Sequence, residues 1–300
     1  MRKGKGWTRR DFVAASFTIA TALRLQQSAR ALGFSRDATI CRLAPGQETG
    51  PFYIAGEMLR SDITERKPGV PLELRLTVLD SRSCQPLRDA AIEIWHCDAL
   101  GIYSGFADNP MNGPGGPPPG APPPDGPPPN GDPQNPGDFP PGPPQNHPTN
   151  KLTFLRGIQV TNADGIAAFR TIVPGYYMGR TNHIHFKVRI GGHPDGNTYA
   201  AGHISHTGQV FFPEEICAEL MHNGPYAGHS IHRTTQDEDF VFNQQGGASS
   251  IAKVRSLNGK DYSEGMRAEI IAAIDPTAVS PLGIRPRGGP SRPRPNTPTS

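Results

Sequence analysis

The sequence predicts an all-β domain, a two-sheet antiparallel β-sandwich carrying a long disordered Pro/Gly-rich insertion. Three observations predict it. Apolar residues recur with period two in several short segments, turn signals separate those segments, and no long amphipathic helix interrupts them. With the low-complexity stretches set aside, about 210 residues remain, which suits one such domain.

Residues 1–31 come first and read as an export leader. Thr8-Arg9-Arg10-Asp11-Phe12-Val13 leads into a mild apolar run over residues 13–23, followed by Arg24 and the small-residue site Ala29-Arg30-Ala31. A bilayer span takes about 20 apolar residues, so the run is a cleaved signal and no membrane span is expected. The paired arginines ahead of Phe12 and Val13 make it a twin-arginine-type signal, with an ordinary secretory signal as the alternative. That reading implies the twin-arginine export machinery as a partner. It also implies an exported location, whether periplasmic, extracellular or at the cell envelope.

The predicted domain covers residues 32–280. Its first strand has Leu72, Leu74, Leu76 and Val78 alternating with Glu73, Arg75 and Thr77. In the second, Ala90, Ile92 and Ile94 lie opposite Ala91, Glu93 and Trp95, and Trp95 is expected in the core. Residues 110–148 then interrupt the domain. They hold 18 of the 34 prolines and cannot bury enough apolar surface to offset chain entropy, so they are expected to be disordered. Short apolar runs at residues 154–160, 167–171, 209–212 and 240–242 are further strands, and Asn162-Ala163-Asp164-Gly165 is a hairpin turn. Ile184, Phe186, Val188 and Ile190 alternate with His183, His185, Lys187 and Arg189; Met266, Ala268, Ile270, Ala272 and Ile274 form a last apolar face. Residues 281–300 are a Pro/Arg/Ser/Thr tail, expected to be disordered.

Charge is distributed unevenly. Residues 1–31 carry a net +6 and residues 281–300 a net +4, so the overall +3 leaves −7 for the domain. An acidic domain excludes a nucleic-acid-binding reading built on the basic whole-chain balance. The four cysteines, Cys41, Cys84, Cys97 and Cys217, form no Cys-x-x-Cys pair, which leaves a zinc ribbon or thioredoxin-type site unsupported. One or two disulfides suit an exported chain, and the spacing selects no pairing.

The chemistry concentrates in Pro174-Gly175-Tyr176-Tyr177-Met178-Gly179-Arg180-Thr181-Asn182-His183-Ile184-His185-Phe186. On a strand His183 and His185 project together, away from the apolar face of Ile184 and Phe186. Spacing alone leaves them as a metal pair or as surface histidines. A zinc hydrolase would want an acidic third ligand, and none is evident. The nearby side chains able to complete a site are Tyr177 and Tyr103. A phenol titrates near pKa 10, so phenolate coordination at neutral pH asks for a hard, highly charged ion, and ferric iron suits it better than Zn²⁺. His96, His203, His206, His229 and His232 match no ligand pattern and read as surface or supporting groups.

On these segments the chain resembles the intradiol ring-cleaving dioxygenases, the catechol and protocatechuate dioxygenase superfamily, in its compact secreted branch. Glu48-Thr49-Gly50-Pro51-Phe52-Tyr53, residues 90–103, Asp164-Gly165, Phe169-Arg170-Thr171-Ile172 and residues 174–186 carry the resemblance, which runs from about Cys41 to Ile274 without the insertion. It implies a β-sandwich of the intradiol type and a mononuclear non-haem Fe(III) cofactor held by Tyr103, Tyr177, His183 and His185. It implies O2 and a catechol-type diol as substrates, cleaved between the two hydroxylated carbons to a cis,cis-muconate-type diacid. Tyr177 would take the second substrate proton, Arg180 would stabilise negative charge on the ring, and Gln209 would be the active-site glutamine. The alternative is a secreted, non-catalytic β-sandwich that binds iron or an aromatic polymer. Arg180 favours catalysis, because iron binding does not need that cation. The insertion begins seven residues after Tyr103, which places it near the mouth of such a site.

Overall fold

The computed structural model describes residues 41–106 and 148–280. The expected leader at 1–31, the expected disordered insertion at 110–148 (apart from Pro148) and the expected tail at 281–300 lie outside the described residues. The chain divides into two compact units, residues 1–42 and 43–300, and the fold is that of the second.

Among the described residues eight strands make two four-stranded sheets. In chain order they are β1 (Pro71–Asp80), β2 (Ala91–Trp95), β3 (Arg156–Val160), β4 (Ile166–Ile172), β5 (His183–Asp195), β6 (Thr198–Phe211), β7 (Lys253–Ser256) and β8 (Met266–Ile274). One sheet has the order β4-β1-β8-β7, the other β3-β2-β5-β6. The period-two pattern does what it must: Leu72, Leu74, Leu76 and Val78 face inward and meet Ile92, Ile94, Ile184, Phe186 and Val188 of the other sheet. Burying such a side chain contributes about 1.5–3 kcal/mol, so this shared layer holds the sandwich together. On the outer face of the first sheet Glu73 sits beside its register partner Arg267, which donates to it at 2.6 Å. Among the described residues no helix is long and apolar enough to cross a membrane.

The expected two-sheet β-sandwich is present, and three of its details need correction. The sandwich is not wholly antiparallel, because β1 and β8 pair in parallel, Leu72 with Met266 through Asp80 with Ile274. No hairpin constrains two strands so distant in sequence, and either direction presents the same alternate residues to the core. Residues 240–242 are not a strand but open the short helix α2 (Phe240–Gln244), after α1 (Glu214–Leu220). The Asp239 side chain caps α2 by accepting from Phe242 N, and this local bond overrides an apolar triplet too short to specify its own periodicity. The turn at 162–165 forms but is not a hairpin, because the strands it joins, β3 and β4, belong to different sheets. Asn162 Oδ1 accepts from the amides of Asp164 and Ile166, and Gly165 takes φ 73° where a Cβ would stand 2.5 Å from Val78 O.

All five residues of β2 are buried. One face joins the sandwich core. The segment at residues 47–57 covers the other, where Tyr53 packs 5.1 Å from Trp95 and donates to Glu93 at 3.2 Å. Trp95 is therefore buried as expected, but beyond the sandwich core. It belongs to a second apolar cluster with Phe52, Cys97, Tyr103, Phe106 and Tyr177. Cys41 and Cys84 are disulfide-bonded; Cys97 and Cys217 are buried free thiols.

Candidate metal centre

The site is built on the covered face of the second sheet. β5 begins at His183, and because Ile184 is committed to the core, His183 and His185 both turn to the opposite face. Antiparallel register then sets their neighbours. Trp95 of β2 lies beside His185 on one side and Gln209 of β6 on the other, while Phe211 lies beside His183. The Trp95 and His185 rings stack at 4.9 Å with 3° between planes.

Tyr177 and Arg180 arrive from the turn that leads into β5. Arg180 N donates to Tyr177 O at 3.0 Å, and Arg180 Nη1 donates to Tyr177 Oη at 3.4 Å. Tyr103 comes from the loop after β2, where Asp98 Oδ1 accepts from the amides of Leu100 and Ile102, each at 3.0 Å. Its Oη stands 3.5 Å from His183 Nε2, which is 3.1 Å from His185 Nε2. The Tyr103 and Tyr177 rings meet edge to face at 5.7 Å. Tyr103, Tyr177, His183, His185, Arg180 and Gln209 thus occupy one cluster, and none is more than 4% exposed. Arg180 is held at each guanidinium nitrogen: Nη1 by Tyr177, Nε by Asp239 Oδ2 at 3.0 Å, Nη2 by Gln209 Oε1 at 2.5 Å.

The donor set fits a highly charged cation. His183 Nδ1 faces Thr181 O at 2.7 Å, so it carries the proton and leaves the Nε2 lone pair directed inward. His185 Nδ1 is buried with no hydrogen-bond partner, so no bonding within the protein satisfies both of its nitrogens. Burial drives both imidazoles well below the usual histidine range, the Arg180 charge next for His183 and the His183 ring next for His185. Both are neutral and available as ligands. Burial, and then Tyr177, push the Tyr103 phenol well above its ordinary value, so in this dry pocket it ionises only against strong positive charge. Burial works against the Arg180 charge, but Tyr177, Asp239 and Glu48 more than offset it. Among the described residues no group of three or more His, Cys, Asp and Glu is placed to hold a metal, which leaves the tyrosines as the partners of the two histidines.

Several supporting residues were given no role by the sequence, although Glu48 and Gly50 lie in a segment that carries the resemblance. Asp239 is separated from Arg180 by 59 positions and is fully buried, bonded to Arg180 Nε and to Thr181 N. Gln47 Oε1 accepts from Gln209 N, and Glu48 O accepts from Gln209 Nε2. At Gly50, with φ 69°, a Cβ would lie 3.1 Å from His185 Cε1 and 3.3 Å from Nε2. The roles of Asp239, Gln47, Glu48 and Gly50 depend on the fold. Of the other histidines, His96 is fully buried, bonded to Thr171 Oγ1 and Cys97 O, and His206 is buried against Phe186.

Comparison with solved structures gives an intradiol ring-cleavage dioxygenase from Tetranychus urticae. It is 30% identical, with a TM-score of 0.62, over 81% of this chain and 98% of that one. A second dioxygenase structure is 29% identical, with a TM-score of 0.60, over 80% of this chain and 98% of its own. No protein-family profile matches the chain, and no curated protein matches it. The likeness covers nearly the whole of the Tetranychus enzyme at 30% identity, and the chain belongs to the intradiol ring-cleavage dioxygenases.

Proposed function

We propose that the protein is an Fe(III)-dependent intradiol dioxygenase that cleaves a catechol-type diol with O2 between its hydroxylated carbons. Tyr103, Tyr177, His183 and His185 would hold a single ferric ion. The observation that carries this reading is the convergence of Tyr103 Oη, His183 Nε2 and His185 Nε2, each within 3.5 Å of the next, in a buried pocket beside Tyr177. When bound, the ferric ion draws electron density from the chelated diol and so activates its ring toward O2.

The remaining steps belong to the chain's own residues. Tyr177 Oη takes the second proton of the diol, and Arg180 Nη1, 3.4 Å away, stabilises the oxygen of Tyr177 through the exchange. In this reading Arg180 would also stabilise the negative charge that develops on the ring. Its three fixed partners hold that charge in place before the reaction, so little reorganisation is needed. The aromatic walls, Phe52 and Trp95, exclude water from the cluster. Export by the twin-arginine route belongs to this reading, since that route carries proteins already folded around their cofactor.

The test is direct. Purified protein loaded with ferric ion should show a visible tyrosinate-to-metal charge-transfer band, altered in Tyr103→Phe and Tyr177→Phe. It should consume O2 with catechol and yield a muconate-type diacid. Arg180→Ala should keep the iron and lose about 10²–10³ in kcat, as removal of a preorganised donor does. A coloured wild type that consumes no O2 with any catechol would favour the iron-binding alternative. A colourless, zinc-loaded protein would sink the ligand assignment.

A further inference from the structure

Arg156, the first residue of β3, is 1% exposed and used by none of the steps above. Its guanidinium joins two segments, one at Ser104 and one at Phe52. Nε donates to Ser104 Oγ at 2.7 Å, and Nη2 donates to Ser104 O and to Phe52 O, both at 2.8 Å. Nη1 faces Glu57 Oε1 at 3.7 Å. Ser104 directly follows Tyr103, and the Phe52 ring lies on the Tyr103 ring at 4.6 Å with 22° between planes. Arg156 therefore grips Tyr103 from both sides, through the next residue in the chain and through the ring that covers it.

Bulk stability is a poor reason to place a cation here. A buried ion pair is often no more stabilising than apolar residues of the same volume, and this one is long. Fixed direction is a better reason, because the planar fork of arginine binds two carbonyls at a set angle, which a lysine cannot reproduce. We propose that Arg156 is the positioning residue for Tyr103, its buried guanidinium tying Ser104 and Phe52 into one frame that fixes where the phenol points. The metal arm of the test rests on the ferric reading above; the first arm does not.

In metal-free protein, amide hydrogen exchange is followed at Phe106, whose N–H donates to Tyr103 O at 3.1 Å. Arg156→Lys should speed exchange there about tenfold or more relative to the amides of β1, since the lost bonds are charge-assisted. An unchanged ratio overturns the proposal. In ferric-loaded protein, Arg156→Lys should shift the charge-transfer band and weaken iron binding about 10- to 100-fold in competition with a chelator. In a Tyr103→Phe background the same substitution should change iron affinity by no more than about twofold. Equal losses in both backgrounds would make Arg156 a general structural residue and overturn the proposal. If wild type binds no ferric ion, the functional reading fails and the exchange arm alone decides Arg156. Should Arg156→Lys not fold, Ser104→Ala, which removes the 2.7 Å acceptor, should show the same exchange change in smaller measure.

Discussion

Replacing Asp239 with asparagine removes one charge from a carboxylate that has no exposed surface. Its Oδ2 accepts from Arg180 Nε at 3.0 Å and Thr181 N at 2.8 Å, and its Oδ1 accepts from Phe242 N at 3.0 Å. Asparagine has one acceptor oxygen and one NH2, so it cannot serve all three donors. Turned one way it loses the cap of α2, worth about 1 kcal/mol; turned the other it sets its NH2 against both Arg180 and Thr181. In either case a buried guanidinium loses its counter-charge, and breaking a buried pair from one side costs about 3–5 kcal/mol. A domain of this size shifts its Tm by about 2–4 °C per kcal/mol, so metal-free Asp239→Asn should melt about 6–20 °C below wild type. Salt should change this difference little, because a buried pair is poorly screened. Arg180 would also lose the anchor that aims it at Tyr177 and Gln209, so kcat should fall further than KM changes. Thermal unfolding of the metal-free protein is the first assay. A Tm within about 2 °C of wild type would refute the reasoning, because the pair would then contribute less than 1 kcal/mol.

Two further outcomes follow from the same geometry. Gly50→Ala places a methyl about 3.1 Å from a His185 ring already stacked on Trp95, in left-handed backbone that itself costs about 1–2 kcal/mol; iron affinity should fall about 10- to 100-fold, and wild-type affinity would show that the ring can yield. The stability of metal-free protein should fall as the pH drops below about 6.5. Burial holds His96 and His206 down at about 4, so below about 6.5 the unfolded chain protonates first, at a cost approaching 3 kcal/mol for each as the pH reaches 4. Burial raises Glu57 to about 7 against the pull of Arg156, so between about 4.5 and 7 it binds a proton that the unfolded chain releases. Glu57 thus offsets one of the two histidines in the overlap and lowers stability as the pH rises toward 7. Urea unfolding across this range checks the profile, and a flat acid limb would contradict the buried, neutral histidines.

Much of the site is written locally. The alternation of β5 places His183 and His185 on one face and Ile184 on the other whatever the partner strands are, because side-chain direction along a strand follows from the pleat. The Tyr177–Arg180 pair is equally local, closed within one turn. The alternation of β1 likewise announced a sandwich face. By itself, then, the sequence determined the alternating strands β1, β2, β5 and β8, their buried faces and the residue types offered to a metal.

Tertiary structure decided which of these meet. The parallel pairing of β1 with β8, the stacking of Trp95 on His185, the Asp239 clamp on Arg180 and the Arg156 brace behind Tyr103 join positions dozens to nearly two hundred residues apart. Each depends on register and on the path of the chain, to which a local periodicity is indifferent. Asp239 shows the physical reason most clearly. In sequence it is one acid in an Asp-Glu-Asp run; only the burial that brings it against Arg180 makes it a counter-ion instead of a solvated charge.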